Sequence, residues 1–384
     1  MGSGKWEVDN TEKGIAVLTG VRSRGIILSM LLFAWPASIE AQVATANDVL
    51  PTGLVDSLRA ELLDTMEQAG VPGVSITVAR DGRVLWSEGL GWADLEQRVA
   101  VTPLTRFRVG SVSKSLTSAA LGMLVEQGKV DLDQPVQRYV PSFPVKRWPI
   151  TTRQVAGHIA GIRHYRGDEF ALNRPFPTVS DGLTIFADDT LLFEPGTAYR
   201  YSSYGYNLLS AVIEGASGTP FLEYMVTRVF RPAGMRQTTP DFVDSLIPFR
   251  ARWYSGDQDS VVNATFVDNS YKWAGGGFLS TTEDLVRFGF AMLDDKLVSR
   301  ETRDLLWTSL TLRDGAATGY GLGWGVSQDQ AGRRRVMHSG GSMGGTAYLV
   351  IYPDERLVVA LLANSDQPLV GVTPGIAARI ASAK

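Results

Sequence analysis

The run Gly110-Ser111-Val112-Ser113-Lys114 places a hydroxyl group and an amine three residues apart at the start of a helical pattern. Apolar residues recur at helical spacing from 116 to 124, and Gly128 supplies a C-terminal stop. Because positions i and i+3 share one helix face, Ser111 and Lys114 should lie side by side near the positive end of the helix dipole. Burial lowers the pKa of a lysine, and the neutral amine then accepts a hydroxyl proton. The pair predicts a serine nucleophile activated by a lysine.

A motif of two fixed letters arises by chance about once in a chain of this length, so the pair needs further support. Two other stretches of the sequence provide it. In residues 195–207 a glycine turn leads to Tyr201 and several hydroxyl residues before a helical segment, so the loop can present a phenol to a site. We interpret its other tyrosines as packing residues: Tyr199, Tyr204 and Tyr206. In His338-Ser339-Gly340-Gly341 the glycines let backbone approach a substrate and offer NH groups to an oxyanion.

The order Ser-x-x-Lys, Tyr-Ser-x, His-Ser-Gly resembles the β-lactamase-related serine hydrolases, which include class C β-lactamases, DD-peptidases, D-aminopeptidases and β-lactamase-like carboxylesterases. The resemblance covers residues 55–380. Residues 157–165 and 267–281 are similar to the branch of the family that contains the animal mitochondrial β-lactamase-like protein and its bacterial relatives. The resemblance implies an α+β fold of the β-lactamase/DD-peptidase type.

The resemblance also implies roles for individual residues. Ser111 would attack the substrate, and Lys114 would shuttle its proton. Tyr201 would protonate the leaving group and then activate water for deacylation. The backbone NH groups of Ser111 and Gly341 would form the oxyanion hole. No cofactor and no metal are expected.

Two positions depart from the β-lactamase pattern. His338 stands where those enzymes have the lysine of Lys-Thr-Gly, and Ser203 stands where they commonly have asparagine. We expect His338 to act in the site, with Ser203, Ser339 and Gly340 contacting substrate. Because a histidine is only partly charged near neutral pH, it holds a carboxylate less well than lysine. Small esters or peptide and amide bonds are therefore the expected substrates, with weak or no β-lactamase activity.

The periodicity along the chain predicts the elements that must position these residues. A helix is predicted over 54–69, and a hairpin over 74–79 and 84–88 turns at Asp81-Gly82. A helical middle subdomain is predicted over about 115–300, including a capping box at Ser280-Thr281-Thr282-Glu283. Late strands and a final helix are predicted over 320–326, 347–352, 357–363 and 373–383. Strands at both ends predict one antiparallel sheet built from the two termini and flanked by helices.

Composition narrows the function classes. The chain has 384 residues, 44% hydrophobic and 20% charged, which is enough for a large core. A net charge of -3 provides no basic stripe for nucleic acid. Cysteine is absent, which removes disulfides, zinc-thiolate sites and thiol nucleophiles, and the three histidines form no HExxH motif.

The N-terminus predicts export. Arg22 and Arg24 precede an apolar run over 25–37, and small residues follow up to Ala46. This layout predicts a leader over 1–46, with a signal peptide over 21–46, and a catalytic domain over 47–384. The run is shorter than the roughly 20 residues of a membrane-spanning helix, so we expect no stable membrane span in the mature, periplasmic or secreted protein.

Several alternatives remain open. Gly340-Gly341-Ser342-Met343-Gly344 fits a GxSxG nucleophile elbow, but that fold needs a histidine after the serine, and all three histidines precede Ser342. Because fold alone does not fix activity, an alternative hypothesis is a non-catalytic binding or filament-forming scaffold of the same fold. Self-association into a homo-oligomer is a separate hypothesis. Three smaller expectations concern structure. His158 and His164 bond to backbone, and Lys272 is solvated. Trp273 and the glycines 275–277 either line the substrate cleft or form a close-packed turn, and the packed turn is preferred.

Overall fold

The computed structural model describes residues 50–369 and 371–383. The predicted leader (1–46) and signal peptide (21–46) lie outside the described residues. The helices are α1 Thr52–Ala69, α2 Ser113–Glu126, α3 Thr152–Ala156, α4 Val179–Leu183, α5 Ser203–Ser217, α6 Phe221–Tyr224, α7 Trp273–Gly276, α8 Thr282–Leu293, α9 Arg300–Leu306 and α10 Val372–Ser382. No helix in this part of the chain combines the length and apolar character needed to cross a membrane.

The strands form one large sheet and two small ones. They are β1 Gly73–Arg80, β2 Arg83–Asp94, β3 Val99–Ala100, β4 Phe107–Arg108, β5 Thr239–Pro240, β6 Tyr254–Asp257, β7 Ser260–Asn263, β8 Phe278–Ser280, β9 Gly325–Gln328, β10 Arg334–Ser342, β11 Gly345–Tyr352 and β12 Leu357–Ala363. The large sheet has the order β3-β2-β1-β12-β11-β10-β9 and is antiparallel. N-terminal and C-terminal strands therefore share one sheet, which confirms the predicted α+β fold.

Local chemistry explains the strand pairing at the centre of the sheet. Asp81 and Gly82 both have positive φ, 53° and 79°, as a two-residue hairpin turn between β1 and β2 requires. Alternate residues of β1 face opposite layers. Val74, Ile76 and Val78 pack with α1 and α10, whereas Thr77 on the other face lies 2.8 Å from the Thr282 hydroxyl at the start of α8. The central strands are thus buried on both faces.

The helices α2 to α9 lie between Ser113 and Leu306 and pack on the face opposite α1 and α10. Small polar residues of α2 bond to neighbouring backbone: Thr117 donates to Ala274 O at 3.0 Å and Ser115 to Gly323 O at 2.8 Å. These bonds fix α2 against the short helix α7 and against the segment that leads into β9. The position of Ser111, at the N-terminal end of α2, is therefore set by the helical layer and the sheet together.

Three local predictions were wrong. The cap of α8 is Thr281, which accepts from the Asp284 NH, because Ser280 still belongs to β8. Residues 320–324 lie outside β9, which begins at Gly325. The run 338–341 lies within β10 rather than before the late strands. Glycine has a low strand propensity, so the local sequence does not predict a strand here. The glycines of this run instead allow close backbone packing against residues 109–110.

Candidate active site

Ser111 lies in a single 3₁₀ turn, Gly110–Val112, that leads directly into α2. Gly110 has φ 46°, and a Cβ there would come within 2.6 Å of the Gly341 carbonyl oxygen. A Cβ on Gly340 would likewise overlap the Val109 carbonyl oxygen. The turn therefore packs backbone to backbone against β10, which only glycine permits at these positions. Ser111 itself remains partly exposed.

Lys114 is fully buried, and its amine has three polar neighbours. The Nζ atom lies 2.9 Å from Ser111 Oγ, 3.1 Å from Ser203 Oγ and 2.7 Å from Gly275 O. Burial lowers the pKa of Lys114 well below its ordinary value, and the nearby charge of Lys272 lowers it further. As a neutral amine it has two N–H groups, which suit Gly275 O and Ser203 Oγ. The lone pair is then left for the Ser111 hydroxyl.

Tyr201 stands beside this pair. Its ring centroid lies 4.8 Å from Lys114 Nζ. Burial raises the pKa of Tyr201, and hydrogen bonding to Ser111 opposes part of the rise. The phenol is therefore protonated at neutral pH and can act as a proton donor.

Two histidines hold the loop that carries Tyr201. The Ser202 NH donates to His158 Nδ1 at 3.2 Å, and the Ser203 NH donates to His164 Nδ1 at 3.1 Å. Burial lowers the pKa of His164 to about 4 and that of His158 well below its ordinary value, so both rings are neutral acceptors. The expectation that these histidines bond to backbone is confirmed.

His338 is buried on β10 and has both ring nitrogens engaged. Its Nδ1 lies 2.6 Å from the Ser339 carbonyl oxygen, and its Nε2 lies 2.8 Å from the Tyr320 hydroxyl. Because a carbonyl only accepts, Nδ1 carries the proton, and Nε2 accepts from Tyr320. Burial lowers the pKa of His338 to about 3, and the charge of Lys114 acts in the same direction. The ring is neutral at physiological pH, not partly charged as the sequence suggested.

One edge of β10 faces the site. The neighbouring strand β9 pairs with β10 only over Arg334–Met337, so the stretch from His338 onward is paired with β11 alone. Gly341 is exposed there, with open space where a Cβ would be. Ser339 is exposed on the same stretch, whereas Gly340 packs against the Ser111 turn.

Two adjoining cavities open at this edge, and Tyr201 lines both. The first, of about 200 Å³, is the reaction cavity; it contains Ser111 and is further lined by His164, Tyr165, Phe170, Ser203, Lys272, Gly275, Gly276 and Gly341. The second, of about 300 Å³, is the aromatic cavity and is further lined by Tyr199, Tyr320, Val326, Met337, His338 and Ser339. Lys114 lies buried beneath Ser111. Of the predicted site residues, Lys114 and Gly340 line neither cavity: Lys114 contacts Ser111 from within the protein, and Gly340 packs against the backbone of Val109.

One residue of the reaction cavity was misjudged from the sequence, and two contacts to the catalytic residues were not foreseen. Lys272 is 2% exposed, so the expectation of a solvated lysine was wrong. Gly275 contributes a carbonyl to Lys114, and Tyr320 donates to His338. Nothing in the local pattern marks either contact, because each joins segments far apart in the chain.

The alternative nucleophile Ser342 is 2% exposed, and its hydroxyl has no hydrogen-bond partner among the residues that the structure describes. It therefore lacks both a base and access to substrate. A separate surface cleft of about 830 Å³ lies beside α10 and β10, and none of the predicted site residues lines it. Within residues 50–369 and 371–383, no three histidine, aspartate or glutamate side chains gather as a metal ion would require.

An antiparallel sheet, a helical layer and a serine-lysine turn opening at the sheet edge together define the fold class of β-lactamases and penicillin-binding proteins. Residues 58–383 match the Beta-lactamase family, and the chain belongs to that family of hydrolases. The Bos taurus Serine beta-lactamase-like protein LACTB, mitochondrial, is 33% identical, with 84% of this chain and 75% of the relative covered. Penicillin-binding protein 4* of Bacillus subtilis is 27% identical, with 80% and 71% covered.

Solved structures agree on the fold. The octameric penicillin-binding protein homologue from Pyrococcus abyssi superimposes with a TM-score of 0.72 at 27% identity, covering 84% of this chain and 75% of that one. EstCE1, described as a hydrolase with promiscuous acyltransferase activity, gives a TM-score of 0.71 at 22% identity, covering 85% and 98%. At that identity the likeness concerns the fold alone. The relatives thus include mitochondrial and bacterial proteins.

Proposed function

We propose that the chain is a serine hydrolase that forms an acyl-enzyme at Ser111 and cleaves small esters or peptide and amide bonds. The observation that carries the proposal is the buried amine of Lys114, 2.9 Å from the Ser111 hydroxyl. Because its pKa is lowered, the buried amine is present as the free base, the form that accepts a proton, at lower pH than an exposed lysine.

The acylation step follows from the protonation states. Ser111 Oγ bonds to the substrate carbonyl carbon as Lys114 Nζ takes the hydroxyl proton. The oxyanion forms between the backbone NH groups of Ser111 and Gly341. When the bond to the leaving group breaks, Tyr201 supplies that group with a proton. The acyl-enzyme then holds an ammonium at Lys114 beside a phenolate at Tyr201, and the two opposite charges stabilise each other.

Deacylation restores the same groups. The Tyr201 phenolate takes a proton from water as the water oxygen bonds to the acyl carbon. The ester bond to Ser111 then breaks, and the Lys114 ammonium returns its proton to Ser111 Oγ. Over both steps one substrate bond and one water O–H bond are broken, and no external acid or base is consumed.

The neutral state of His338 bears on substrate choice. A β-lactam carries a carboxylate, and the residue at this position in β-lactamases is a permanent cation, whereas His338 is uncharged here. A neutral leaving group suits the aromatic cavity that His338 and Tyr320 line. Ester cleavage with poor β-lactam turnover is the expected consequence.

A substrate panel tests the proposal. Wild-type protein and Ser111→Ala are assayed with short 4-nitrophenyl esters, D- and L-aminoacyl amides and the chromogenic cephalosporin nitrocefin. We expect ester turnover by the wild type, none by Ser111→Ala and poor nitrocefin turnover. Rapid nitrocefin hydrolysis with inert esters would overturn the substrate ranking. Inactivity towards the whole panel would favour the scaffold hypothesis instead.

Export of the mature chain also belongs to the proposal, on the strength of the apolar run over 25–37 and its flanks. Expression of the full chain in a bacterial host followed by fractionation tests it. A shortened product in the periplasm is the expected result, and full-length protein retained in the cytoplasm is the contrary one. The octameric Pyrococcus abyssi homologue supports an oligomer as a companion proposal, to be tested by light scattering.

A further inference from the structure

Lys272 is a second buried lysine beside the nucleophile, and the proposed reaction does not use it. Its side chain is 2% exposed. The Nζ atom lies 3.4 Å from the Phe170 carbonyl oxygen, and this is a long hydrogen bond. It also lies 4.3 Å from the Phe170 ring centroid and 5.1 Å from that of Tyr271. Aromatic faces attract a cation but accept no conventional hydrogen bond, so the ammonium keeps unused donor capacity.

No carboxylate in the described part of the chain forms an ion pair with Lys272. The carboxylate that influences it, Asp241, is already engaged. It accepts from Arg108 Nε at 2.7 Å, and from Asn269 Nδ2 at 2.8 Å. Burial of a cation without a partner is costly, and such groups are usually paired or serve a ligand. The ammonium of Lys272 thus has no negatively charged partner among the described residues.

The position of Lys272 shows where such a partner can enter. Lys272 and Ser111 line the same reaction cavity, together with the rings of Tyr165 and Phe170. The acyl group of a substrate stays bonded to Ser111 Oγ after the leaving group has gone, so it must occupy this cavity. At about 30 Å³ for each water-sized group, a cavity of about 200 Å³ has room for roughly six or seven heavy atoms, which is the number that a glutaryl or adipoyl group carries beyond its ester carbonyl. An acyl chain of that size can bring a terminal group to Lys272.

We propose that Lys272 is an anion-binding residue that selects substrates whose acyl group ends in a carboxylate. This inference rests on the proposed acyl-enzyme function. The two cavities then differ in charge. The Lys272 ammonium lines the reaction cavity, which holds the acyl group, and the neutral His338 lines the aromatic cavity, which holds the leaving group. Burial lowers the pKa of Lys272 to about 7, so its ammonium form is present at mildly acidic pH, and a bound carboxylate favours that form further.

Lys272 also lowers the pKa of Lys114, which gives it a second effect on catalysis. That effect concerns the nucleophile and is the same for every substrate. A selectivity ratio separates the two effects, because a general loss of activity cancels in the ratio. The useful quantity is kcat/KM for a carboxylate-bearing acyl ester divided by kcat/KM for its uncharged counterpart.

The test uses matched esters at pH 6.5. The 4-nitrophenyl monoesters of glutaric and adipic acid are compared with 4-nitrophenyl pentanoate and hexanoate, after subtraction of spontaneous hydrolysis. We expect the wild type to prefer the charged esters and Lys272→Met to lose about tenfold or more of that preference, as for a lost hydrogen bond to a charged group. Lys129→Met is the control, because Lys129 is exposed beyond the far end of α2. An unchanged ratio in Lys272→Met overturns the inference.

A binding measurement keeps the inference separate from the proposed function. If the wild type cleaves no ester, the hydrolase proposal fails, and the subsite is tested by calorimetric titration of Ser111→Ala with monomethyl glutarate and methyl pentanoate. Preference for the anion that disappears in Ser111→Ala/Lys272→Met supports the subsite. Equal affinity for both ligands, or a preference that survives the second substitution, overturns it. Lys272→Gln replaces Lys272→Met in both experiments if the latter does not fold.

Discussion

Lys114 Nζ lies 2.9 Å from Ser111 Oγ and 2.7 Å from the Gly275 carbonyl oxygen, and the lysine is fully buried. The carbonyl commits one N–H group of the amine and so orients the nitrogen. In its neutral form the lysine then points a lone pair at the serine. One nitrogen atom of α2 thus contacts both the 3₁₀ turn that carries Ser111 and the short helix α7, which lies far along the chain.

Replacement of Lys114 by methionine should separate activity from stability. We expect Lys114→Met to reduce kcat by at least about a thousandfold, because the base is lost. The free energy of unfolding should stay within about 1 kcal/mol of the wild type or exceed it, since a buried amine is exchanged for an apolar chain of similar length. Ester kinetics and urea unfolding measure the two effects. A variant that is both active and much less stable would contradict the assignment.

Tyr201 should contribute its hydroxyl group and not only its ring. Tyr201→Phe keeps the packing against Lys114 but removes the proton donor, so kcat should fall by about 10² to 10⁴. Tyr348→Phe is the matched control, because Tyr348 packs on the side of the sheet that faces α1 and α10 and lines neither cavity. Wild-type kcat in Tyr201→Phe would remove this residue from the mechanism.

The adjacent glycines of β10 should respond differently to alanine. A Cβ at Gly340 meets the Val109 carbonyl oxygen, so Gly340→Ala should lower the free energy of unfolding by about 1–3 kcal/mol. A Cβ at Gly341 meets open space, so Gly341→Ala should unfold like the wild type. Chemical denaturation of both variants provides the comparison. Equal destabilisation would show that β10 does not press on the Ser111 turn as described.

The buried histidines should make the fold sensitive to mild acid. The pKa of His338 is lowered to about 3 and that of His164 to about 4, against an ordinary value of 6.5, so the unfolded chain takes up protons first as pH falls. Their contribution to stability is therefore complete above about pH 6.5 and declines as pH falls towards 4. Each histidine adds a slope of up to about 1.4 kcal/mol per pH unit.

Denaturant unfolding between pH 7 and pH 5 measures this slope before most carboxylates titrate. His338→Gln should lower it by about one proton, because glutamine keeps hydrogen-bonding groups without a titration in this range. A slope in His338→Gln equal to that of the wild type would mean that His338 is not held neutral in the fold.

Local signals in the sequence were enough for much of the fold. The Asp81-Gly82 turn predicted the first hairpin, because two consecutive residues with positive φ favour Asp and Gly. The strand over 357–363 was predicted with its exact bounds from a run of apolar residues. In each case the chemistry that decides the conformation lies within a few residues.

Features that depend on contacts between distant segments could not be predicted from the sequence. The glycine-rich run of β10 resembles a loop until the turn at Gly110 is seen to press against it. Lys272 looks like any polar residue between loops, yet Phe170 and Tyr271 enclose it, and the first of these lies about a hundred residues away. The Ser111–Lys114 contact was predictable from helix geometry alone, whereas the Gly275 carbonyl that orients the lysine was not.

Covalent labelling shows which serine is the nucleophile. The wild-type protein is treated with a fluorophosphonate probe, and the modified peptide is identified by mass spectrometry, with Ser111→Ala and Ser342→Ala alongside. We expect a single adduct on Ser111 in the wild type and in Ser342→Ala, and none in Ser111→Ala. Labelling that persists in Ser111→Ala but vanishes in Ser342→Ala would contradict the account.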